Sequence, residues 1–539
     1  MPLPTRCIQI GRKNLVLKET AGETGAYIAL SHRWNEETEL CKTTTKNVEE
    51  RRRGRGLHSL PKLFADAIAA AQALDIQYMW IDSLCIIQGG DNGQDWKREA
   101  VKMAQYYQEA VLVIATTAES KEAGLFPVRT DDKPESLVKM PYRDISGSRK
   151  GHFYVYERSS PPATDYFKAV ADSAFAKRGW IFQERLLSRR MIFYTSHGIY
   201  FECRTEYPKS IDQNTIYPVQ SVHPLDQTSS LRRFFHAASF SGIELWYKMI
   251  IIYSNTELTY PGRDRMLAIS GVAKEFRDMM TEKLGGKHSS LGYLAGLWLC
   301  DVHFGLLWQQ ESAQDAGADN GSLPSWSWAS TMRAVRWPGR LPHTKNVCKI
   351  IGLLENDVEY SVEGAAGSES QRFESKEQRE HIARIFDAGT GYTGLVIRGY
   401  LQLIVVRGKS ATGDVAAMLR HATNAATLKV TDDTLRPTCS IASRNLIGGW
   451  GSFENSKFQE QLRSYDATIA HALLVSTSHA TGPTGVMNGL FKTRGDVHSV
   501  LYVVPIGGRQ FRRIGAGRVF EKDVFDGFRK AGEQVIELL

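Results

Sequence analysis

The sequence has little that would tie the protein to a membrane or to an oxidising compartment. Its richest apolar run, Met249–Tyr253, is far shorter than the roughly 20 residues of a membrane-spanning helix. The first six residues contain no apolar signal core. The seven cysteines are odd in number and include no Cys-x-x-Cys pair, which argues against a disulfide framework and a zinc ribbon. We therefore expect a cytoplasmic protein that does not bind membranes.

The chain also lacks an excess of one charge that would indicate a nucleic-acid partner. Its 67 basic and 59 acidic residues are well mixed. The strongest local run, Arg51–Arg55, is predicted to be a solvated loop because no aromatic platform or recognised nucleic-acid fold accompanies it. No glycine-rich phosphate loop and no histidine cluster at metal-ligand spacing occur. We therefore predict neither a metal nor a bound cofactor.

What is present is an alternation of short apolar segments and helical patterns. The segment from Leu60 to Leu74 carries apolar residues at helical spacing, and a second helix is expected from Asp95. The polar stretch 35–58 is predicted to be a long loop. Strands are expected at Ala26–Ser31, Ile76–Leu84 and Val111–Thr117. This order predicts an α/β domain with a right-handed parallel sheet.

The rest of the chain is predicted to add three parts to this domain. The α/β domain is expected over residues 1–225, with an insertion at about 127–172 and a further helix at Gly179–Leu187. A helical extension should cover 226–320, where Leu291–Trp308 is one of the clearest helical segments. Residues 321–539 are predicted to form a β-rich C-terminal region.

Polar side chains follow the first two predicted strands. Ser31, His32 and Arg33 follow the first strand, and Asp82 lies at the end of the second. Parallel sheets bind ligands beyond the carboxyl ends of their strands. Asp82 would contact a polar substrate or cap a loop amide, and Arg33 would hold a phosphate. His32 has the pKa range for proton transfer near neutrality, and the alternative is a surface histidine.

The predicted helix at Gly179–Leu187 supplies a second carboxylate. Trp180 and Glu184 are four residues apart, so both lie on one helical face. Its carboxylate makes Glu184 the first candidate for a catalytic residue, and the family resemblance described below implies the reaction. The alternative is that Glu184 pairs with a neighbouring arginine and only orients the helix. The candidate arginines are Arg178, Arg185 and Arg189.

Other residues in these segments are candidates for binding rather than for catalysis. Cys85 lies close to Asp82 in sequence and is either a thiol nucleophile or a buried small hydrophobe. Trp34, Trp96 and Trp180 would stack a planar ligand or pack in the core. Gln88 ends the same segment as Cys85 and would line the approach to the site.

Several motifs, in a fixed order, resemble those of the fungal heterokaryon incompatibility (HET) domain. The motifs are Tyr27–Trp34, Leu60–Pro61, Trp80–Gln88, Asp95–Trp96, Gly124–Phe126, Arg178–Ser188 and Phe201–Cys203. The chain departs from the family pattern at His32, where a tyrosine is usual, and at Asn35, where a glycine is usual. Gly89-Gly90 stands where an acidic pair is common.

The resemblance implies a fold and a reaction. HET domains are similar to TIR domains, in which a glutamate on a Trp-Cys-x-x-Glu helix cleaves the nicotinamide–ribose bond of NAD. Trp180 and Glu184 have the same spacing. The resemblance therefore implies a TIR- or flavodoxin-like sheet, a protein of the incompatibility and cell-death type, and NAD as a small-molecule substrate. It also implies a homo-oligomer, because TIR-type sites generally need self-association.

Two other functions stay open at this point. One is an enzyme of fungal secondary metabolism, a cyclase, dehydratase or hydrolase that uses His32, Asp82 or Glu184 as acid or base. A deep, dry, aromatic-lined pocket would favour it, whereas a shallow polar pocket would favour NAD. The other is a non-catalytic interaction module, which close packing around Glu184 would favour.

Overall fold

A computed structural model of the chain forms two compact units. The first comprises Met1–Ser241, Thr256–Leu258 and Leu267–Val272, and the second comprises the rest. The structure describes residues 1–11, 14–57, 59–117, 124–125, 138–155, 162–196, 198–212, 215–219, 227–236, 242–283, 292–310, 323–355, 358–361, 392–407, 425–430, 449–455, 457–458, 460–461, 467–480, 495–519 and 528–539. The predicted divisions at residues 225 and 320 stay predictions.

The first unit alternates strands and helices over its described residues. Its strands are β1 (Arg6–Ile10), β2 (Leu15–Glu19), β3 (Tyr27–Ser31), β4 (Tyr78–Ile81), β5 (Leu112–Thr116), β6 (Val138–Arg143), β7 (Lys150–Val155), β8 (Arg190–Thr195), β9 (Gly198–Cys203), β10 (Lys209–Asp212) and β11 (Thr215–Pro218). Its helices are α1 (Glu36–Leu40), α2 (Val48–Arg52), α3 (Lys62–Ala73), α4 (Asp82–Cys85), α5 (Gln94–Ala100), α6 (Met103–Glu109), α7 (Pro162–Tyr166), a π-helical turn (Phe167–Ala171), α8 (Gly179–Leu187) and α9 (Gln227–His236).

The main sheet of this unit is mixed rather than parallel throughout. Among the described residues its strand order is β11-β10-β9-β8-β5-β3-β4-β1-β2. The four central strands β8, β5, β3 and β4 are parallel, as predicted, because helical crossovers connect them. The prediction of a parallel sheet is wrong at both edges, where short connections make the strands antiparallel. The TIR- or flavodoxin-like assignment stays a prediction.

Three of the four central strands, β3, β4 and β5, are buried because they carry almost no polar residue. All five residues of β3 are buried, and so are the last three of β4 and the last four of β5. Such continuous burial is typical of parallel strands that are covered on both faces. The polar residues that follow these strands are therefore placed at the edge of a rigid core.

Three local predictions for the first unit are wrong. Residues 35–58 include α1 and α2 rather than one long loop, because Asn35 and Thr38 form a capping box that starts α1. Arg51, expected in a solvated loop, is buried and donates to the Thr43 hydroxyl at 2.5 Å. Asp95 does not cap the next helix, whose N-cap is Gly93; Asp95 lies in the first turn.

The second unit is dominated by strands. Its sheet residues lie in β12 (Tyr293–Leu294), β13 (Leu297–Trp298), β14 (Gln309–Gln310), β15 (Val335–Arg336), β16 (Lys345–Asn346), β17 (Lys349–Glu355), β18 (Val358–Ser361), β19 (Gly394–Arg407), β20 (Ala425–Val430), β21 (Gly449–Phe453), β22 (Ala467–Ala480), β23 (Gly495–Gly507), β24 (Gln510–Val519) and β25 (Glu533–Leu538). Ten of these described strands, β16 to β25, form one sheet, in which β22 pairs with both β23 and β19. This sheet confirms the predicted β-rich C-terminal region.

In this part of the chain, described helices occupy part of the predicted helical extension. The described ones are α10 (Ile243–Ser254), α11 (Pro261–Asp264), α12 (Leu267–Lys283), α13 (Val302–Gly305) and the 3-10 turns Leu299–Asp301 and Trp328–Ser330. The first residues of α12 belong to the first unit. The predicted helix over Leu291–Trp308 is wrong, because Ala295 and Gly296 have positive φ and turn the chain into the β12–β13 hairpin. None of the described helices is long and apolar enough to cross a membrane.

Candidate functional site

The candidate residues meet where the central parallel strands end. Strand β3 pairs with β4 so that Leu30 lies opposite Ile81. Ser31 and His32 at the end of β3 therefore lie beside Asp82, which opens α4. Helix α8 brings Glu184 to the same place, since the Ser31 hydroxyl contacts its carboxylate. The structure thus brings together both carboxylates that the sequence singled out.

Glu184 is a buried carboxyl with an unusual pKa. The Ser31 hydroxyl donates to its Oε2 at 2.5 Å, and only 5% of the residue is exposed. Burial raises the pKa of Glu184 to about 7, and the Asp82 charge adds to this rise. Three interactions oppose this rise and lower the pKa: the hydrogen bonds from Ser31 and Tyr107, and the charge of Arg178. Near neutral pH the group therefore exchanges a proton readily, as a general acid or base requires.

Among the residues that the structure describes, Glu184 forms no ion pair with the arginines of its own helix region. The three candidates have other acceptors: Arg178 donates to the His32 carbonyl at 3.1 Å, Arg185 to Glu202 at 2.6 Å, and Arg189 to Glu109 at 3.2 Å. The alternative in which Glu184 only orients α8 through such a pair is therefore wrong.

Asp82 is held by its neighbours and reaches the surface. Its Oδ2 accepts from Trp34 Nε1 at 2.7 Å, and its Oδ1 accepts from the Ser83 amide at 2.7 Å. The Gln88 amide donates to the Asp82 carbonyl at 3.1 Å. The Asp82 side chain is 19% exposed. The Asp82 carboxylate therefore bonds an amide of its own helix, α4, rather than a loop amide, and it still presents carboxylate surface to solvent.

His32 is buried, so the surface-histidine alternative is wrong. Its side chain is 1% exposed and packs edge-on against Phe64, with ring centroids 5.1 Å apart. Nδ1 lies 3.8 Å from Asp82 Oδ1, beyond hydrogen-bond distance. Neither ring nitrogen has a hydrogen-bond partner among the described residues. Burial lowers the pKa of His32, and the Arg178 charge lowers it further, whereas the Asp82 charge raises it. The net pKa lies below the usual value, so the ring is neutral near pH 7.

The remaining predicted residues surround this centre or lie in the core. Arg33 is exposed, and Trp96 and Trp180 are half-buried and pack edge-to-face with centroids 6.3 Å apart. Cys85 is buried, with Sγ 3.9 Å from the Met79 carbonyl. Burial raises the pKa of Cys85 to about 12, so the thiol stays neutral. The small-hydrophobe alternative therefore describes Cys85.

Sequence reasoning missed two residues of this site. The Tyr107 hydroxyl lies at the end of β3, 3.4 Å from the Leu30 carbonyl, and hydrogen bonding to it lowers the pKa of Glu184. Tyr107 lies on the predicted helical face of Trp96, which was the available signal. Arg178 directly precedes α8 and was considered only as an ion-pair partner.

The donor set of the site suits acid–base chemistry rather than metal binding. Within the described ranges, no group of three histidine, cysteine or acidic residues is placed to hold a metal ion. The side chains that meet are two carboxyls, one hydroxyl, one phenol, one imidazole and one guanidinium. Such a set can bind a polar substrate and move protons.

Comparison with known proteins identifies the domain that holds this site. The family model described as "Heterokaryon incompatibility protein (HET)" matches residues 27–184, from the first residue of β3 to Glu184. No curated protein and no solved structure matches the chain. The matched segment contains every predicted site residue, from Ser31 to Glu184. Residues 27–184 of the chain are therefore similar to the heterokaryon incompatibility (HET) family and carry the candidate site.

Proposed function

We propose that this HET domain is an enzyme that cleaves the nicotinamide–ribose bond of NAD, with Glu184 as the catalytic carboxylate. The observation that carries the proposal is the buried Glu184 carboxyl, bonded to Ser31 at 2.5 Å and with a pKa raised to about 7. Glycosidic cleavage needs a carboxylate beside the sugar carbon, in a site from which bulk water is excluded.

The reaction follows from the chemistry of the leaving group. When the C1′–N1 bond breaks, its electron pair goes to the nicotinamide nitrogen, and positive charge develops on the ribose C1′ and ring oxygen. The ionised form of Glu184 stabilises that charge. Water then forms a bond to C1′, and Glu184 accepts the water proton, which balances the hydrolysis to ADP-ribose, nicotinamide and a proton. The Ser31 hydroxyl holds the carboxylate in place.

The polar surface above Glu184 also supports a polar substrate. Asp82 presents an oriented carboxylate that suits ribose hydroxyls, because Trp34 and Ser83 fix its position. Arg33 is exposed, and Gln88 is half-buried and bonded to the Asp82 backbone. A polar rim of this kind fits a nucleotide better than an apolar intermediate of secondary metabolism.

An assay of NAD loss tests the proposal. Purified protein is incubated with NAD near pH 7.5, and nicotinamide and ADP-ribose are quantified by chromatography. We expect the wild type to form both products and Glu184→Gln to lose at least 100-fold in rate. Glu99→Gln is the matched control, because Glu99 is also buried but bonds Tyr106 and Lys102 instead. Equal rates for the wild type and a folded Glu184→Gln variant would overturn the proposal.

The burial of Glu184 also favours a second candidate, the non-catalytic interaction module. A carboxyl that is 5% exposed is nearly closed off from solvent. If folded wild-type protein consumes no NAD over a wide range of protein concentration, this candidate replaces the enzyme. The concentration series is part of the test because the predicted homo-oligomer would be diluted at low concentration.

A further inference from the structure

We propose that Arg178 and His32 form a subsite for the phosphate-bearing ribose of the substrate, so that the site binds phosphorylated nucleotides in preference to neutral nucleosides. The inference rests on the proposed function and names its substrate class. It assigns the recognition of phosphate to Arg178 rather than to Arg33, which the sequence had suggested.

The Arg178 guanidinium lies at the edge of the site and uses few of its hydrogen-bond donors. It is half-buried, and its backbone is fixed by a parallel bridge to Glu257 at the start of α8. Among the described residues its side chain donates only to the His32 carbonyl, through Nη1 at 3.1 Å. A guanidinium has five N–H donors in a planar fork that matches phosphate geometry. Most of these donors therefore have no partner among the described residues.

The charge of Arg178 changes the pKa values of groups in the site, although Arg178 forms no ion pair with the carboxyls of the site among the described residues. It lowers the pKa of both Glu184 and His32, yet it forms no ion pair with Glu184 or Asp82 within the described structure. An arginine whose charge acts on the Glu184 carboxyl without bonding it is available for an anion from outside. The neighbouring Lys177 differs, since it pairs with Asp172 at 3.0 Å.

His32 supplies an independent sign that a ligand group is missing. A buried imidazole with two unpartnered nitrogens is costly, because polar groups removed from water need hydrogen bonds. A neutral imidazole has one donor and one acceptor, which together match a hydroxyl group. Arg178 bonds the backbone carbonyl of His32, and its charge also acts on the imidazole, so the two side chains belong to the same part of the site. A sugar hydroxyl next to a phosphate satisfies both residues.

Binding measurements on a catalytically disabled protein test the subsite. In a Glu184→Gln background, calorimetry compares nicotinamide mononucleotide with nicotinamide riboside, which differ only in the phosphate. We expect the mononucleotide to bind at least about tenfold more tightly. Adding Arg178→Gln should reduce this ratio to within about twofold, whereas adding Lys177→Gln should leave it unchanged. Adding His32→Phe should weaken both ligands by a similar factor and keep the ratio.

The outcomes separate this inference from the proposed function. Equal affinities for the two ligands, or a ratio that survives Arg178→Gln, would overturn the subsite even if the wild type cleaves NAD. An Arg178-dependent ratio in a protein that never consumes NAD would keep the subsite and remove the enzyme. If Arg178→Gln does not fold, Arg178→Lys serves instead. It keeps the charge but loses the planar fork, so the ratio should fall several-fold.

Discussion

At the scale of single residues, the burial of Glu184 lowers the free energy of unfolding near neutral pH. Its carboxyl is buried beside Asp82, and this raises the pKa to about 7. At neutral pH the folded protein therefore holds a proton that the unfolded chain would release. Replacing the group should stabilise the protein and, under the proposed function, remove the activity, which is a common trade-off at active sites.

The first prediction concerns the pH dependence of stability. Folding raises the pKa of Glu184 from 4.5 to about 7. Below about pH 4.5 the group is protonated in both the folded and the unfolded protein and does not change the free energy of unfolding. Between about pH 4.5 and pH 7 the unfolded chain releases the proton more readily, so the free energy of unfolding falls. Glu184→Gln cannot ionise and avoids this loss. We expect the variant to be more stable than the wild type at pH 7.5 by up to about 3 kcal/mol, and little changed at pH 4.5. Urea unfolding at both pH values measures the difference. The exposed Glu50→Gln is the control, and an equal difference at both pH values would contradict the prediction.

The second prediction concerns the hydrogen bond from Ser31. This bond lowers the pKa of Glu184 because it favours the charged form. In Ser31→Ala the pKa should rise further, so the pH midpoint of the stability loss should move upwards. The same unfolding series over pH 4.5–8.5 measures the midpoint. Ser83→Ala is the matched control, because the Ser83 hydroxyl is buried without a partner. A downward shift in Ser31→Ala would rule out this role.

The residues of the site could be listed from the sequence, but their environments could not. Ser31, Asp82 and Glu184 were found because strand ends and helical spacing place them. The burial of His32 depends on Phe64 in α3, which no local pattern relates to it. The role of Arg178 depends on a carbonyl 146 residues earlier in the chain. Such properties arise from tertiary contacts alone.

At the scale of elements, α8 is the part on which the site depends, and its C-terminal end is held by side chains. Three consecutive carbonyls at this end accept hydrogen bonds: that of Leu186 from His236, that of Leu187 from Arg204 and that of Ser188 from Arg232. Cationic side chains are favourable at a helix C-terminus. Burial lowers the pKa of His236 to about 4, so this residue is neutral at pH 7 and the arginines supply the charge.

The third prediction tests this anchoring. Arg232 is buried, bonds the Ser188 carbonyl at 2.6 Å and pairs with Glu202 at 2.7 Å. Arg232→Ala should destabilise the protein by about 3 kcal/mol, because it breaks a buried ion pair and leaves a carbonyl unpaired. The adjacent Arg233 stacks on Tyr207 at 3.7 Å and is half-buried. Arg233→Ala should cost less than about 1 kcal/mol. Comparable losses in urea unfolding would contradict the assignment.

The fourth prediction concerns the contact of α12 with α6 and α8. The Gly271 amide donates to Gln183 at 2.9 Å, and a Cβ at Gly271 would lie 1.9 Å from that of Ala104. Gly→Ala in a helix normally stabilises, but here we expect a loss of about 1–3 kcal/mol from overpacking. Thermal unfolding measures the sign. A stabilised Gly271→Ala variant would show that the helices separate readily.

The elements themselves were predictable to different degrees. The parallel strands, α3 and α8 follow from apolar runs, a proline at the helix start and helical spacing. The hairpin at Tyr293–Trp298 was missed because its aromatic and aliphatic residues also fit a helix. The positive φ angles of Ala295 and Gly296 are incompatible with that helix. A Cβ at Gly296 would lie 2.2 Å from Trp328 Nε1, so glycine is needed there because of a tertiary contact that the local sequence does not reveal.

At the scale of the whole molecule, the free thiols report on both units. Cys7 and Cys85 are buried in the first unit, and Cys348 is buried in the second. The fifth prediction is that these three of the seven cysteines react with a thiol reagent only after unfolding, so native protein titrates at most four. Added reductant should leave the unfolding midpoint unchanged. Rapid reaction of all seven native thiols would contradict the buried cores of both units.

The adjacent positions of Glu184 and Arg185 limit how the site can open. The two side chains point about 100° apart around α8, one to Ser31 and the other to the buried Glu202. Turning α8 to expose Glu184 would separate Arg185 from the Glu202 carboxylate. The Arg185–Glu202 ion pair therefore opposes rotation of the helix. On the other side of the site, Trp34 and Asp82 are only partly buried and are joined by a hydrogen bond. Under the proposed function, a substrate would approach Glu184 from this partly exposed side, and the Trp34–Asp82 bond is the contact it would meet there.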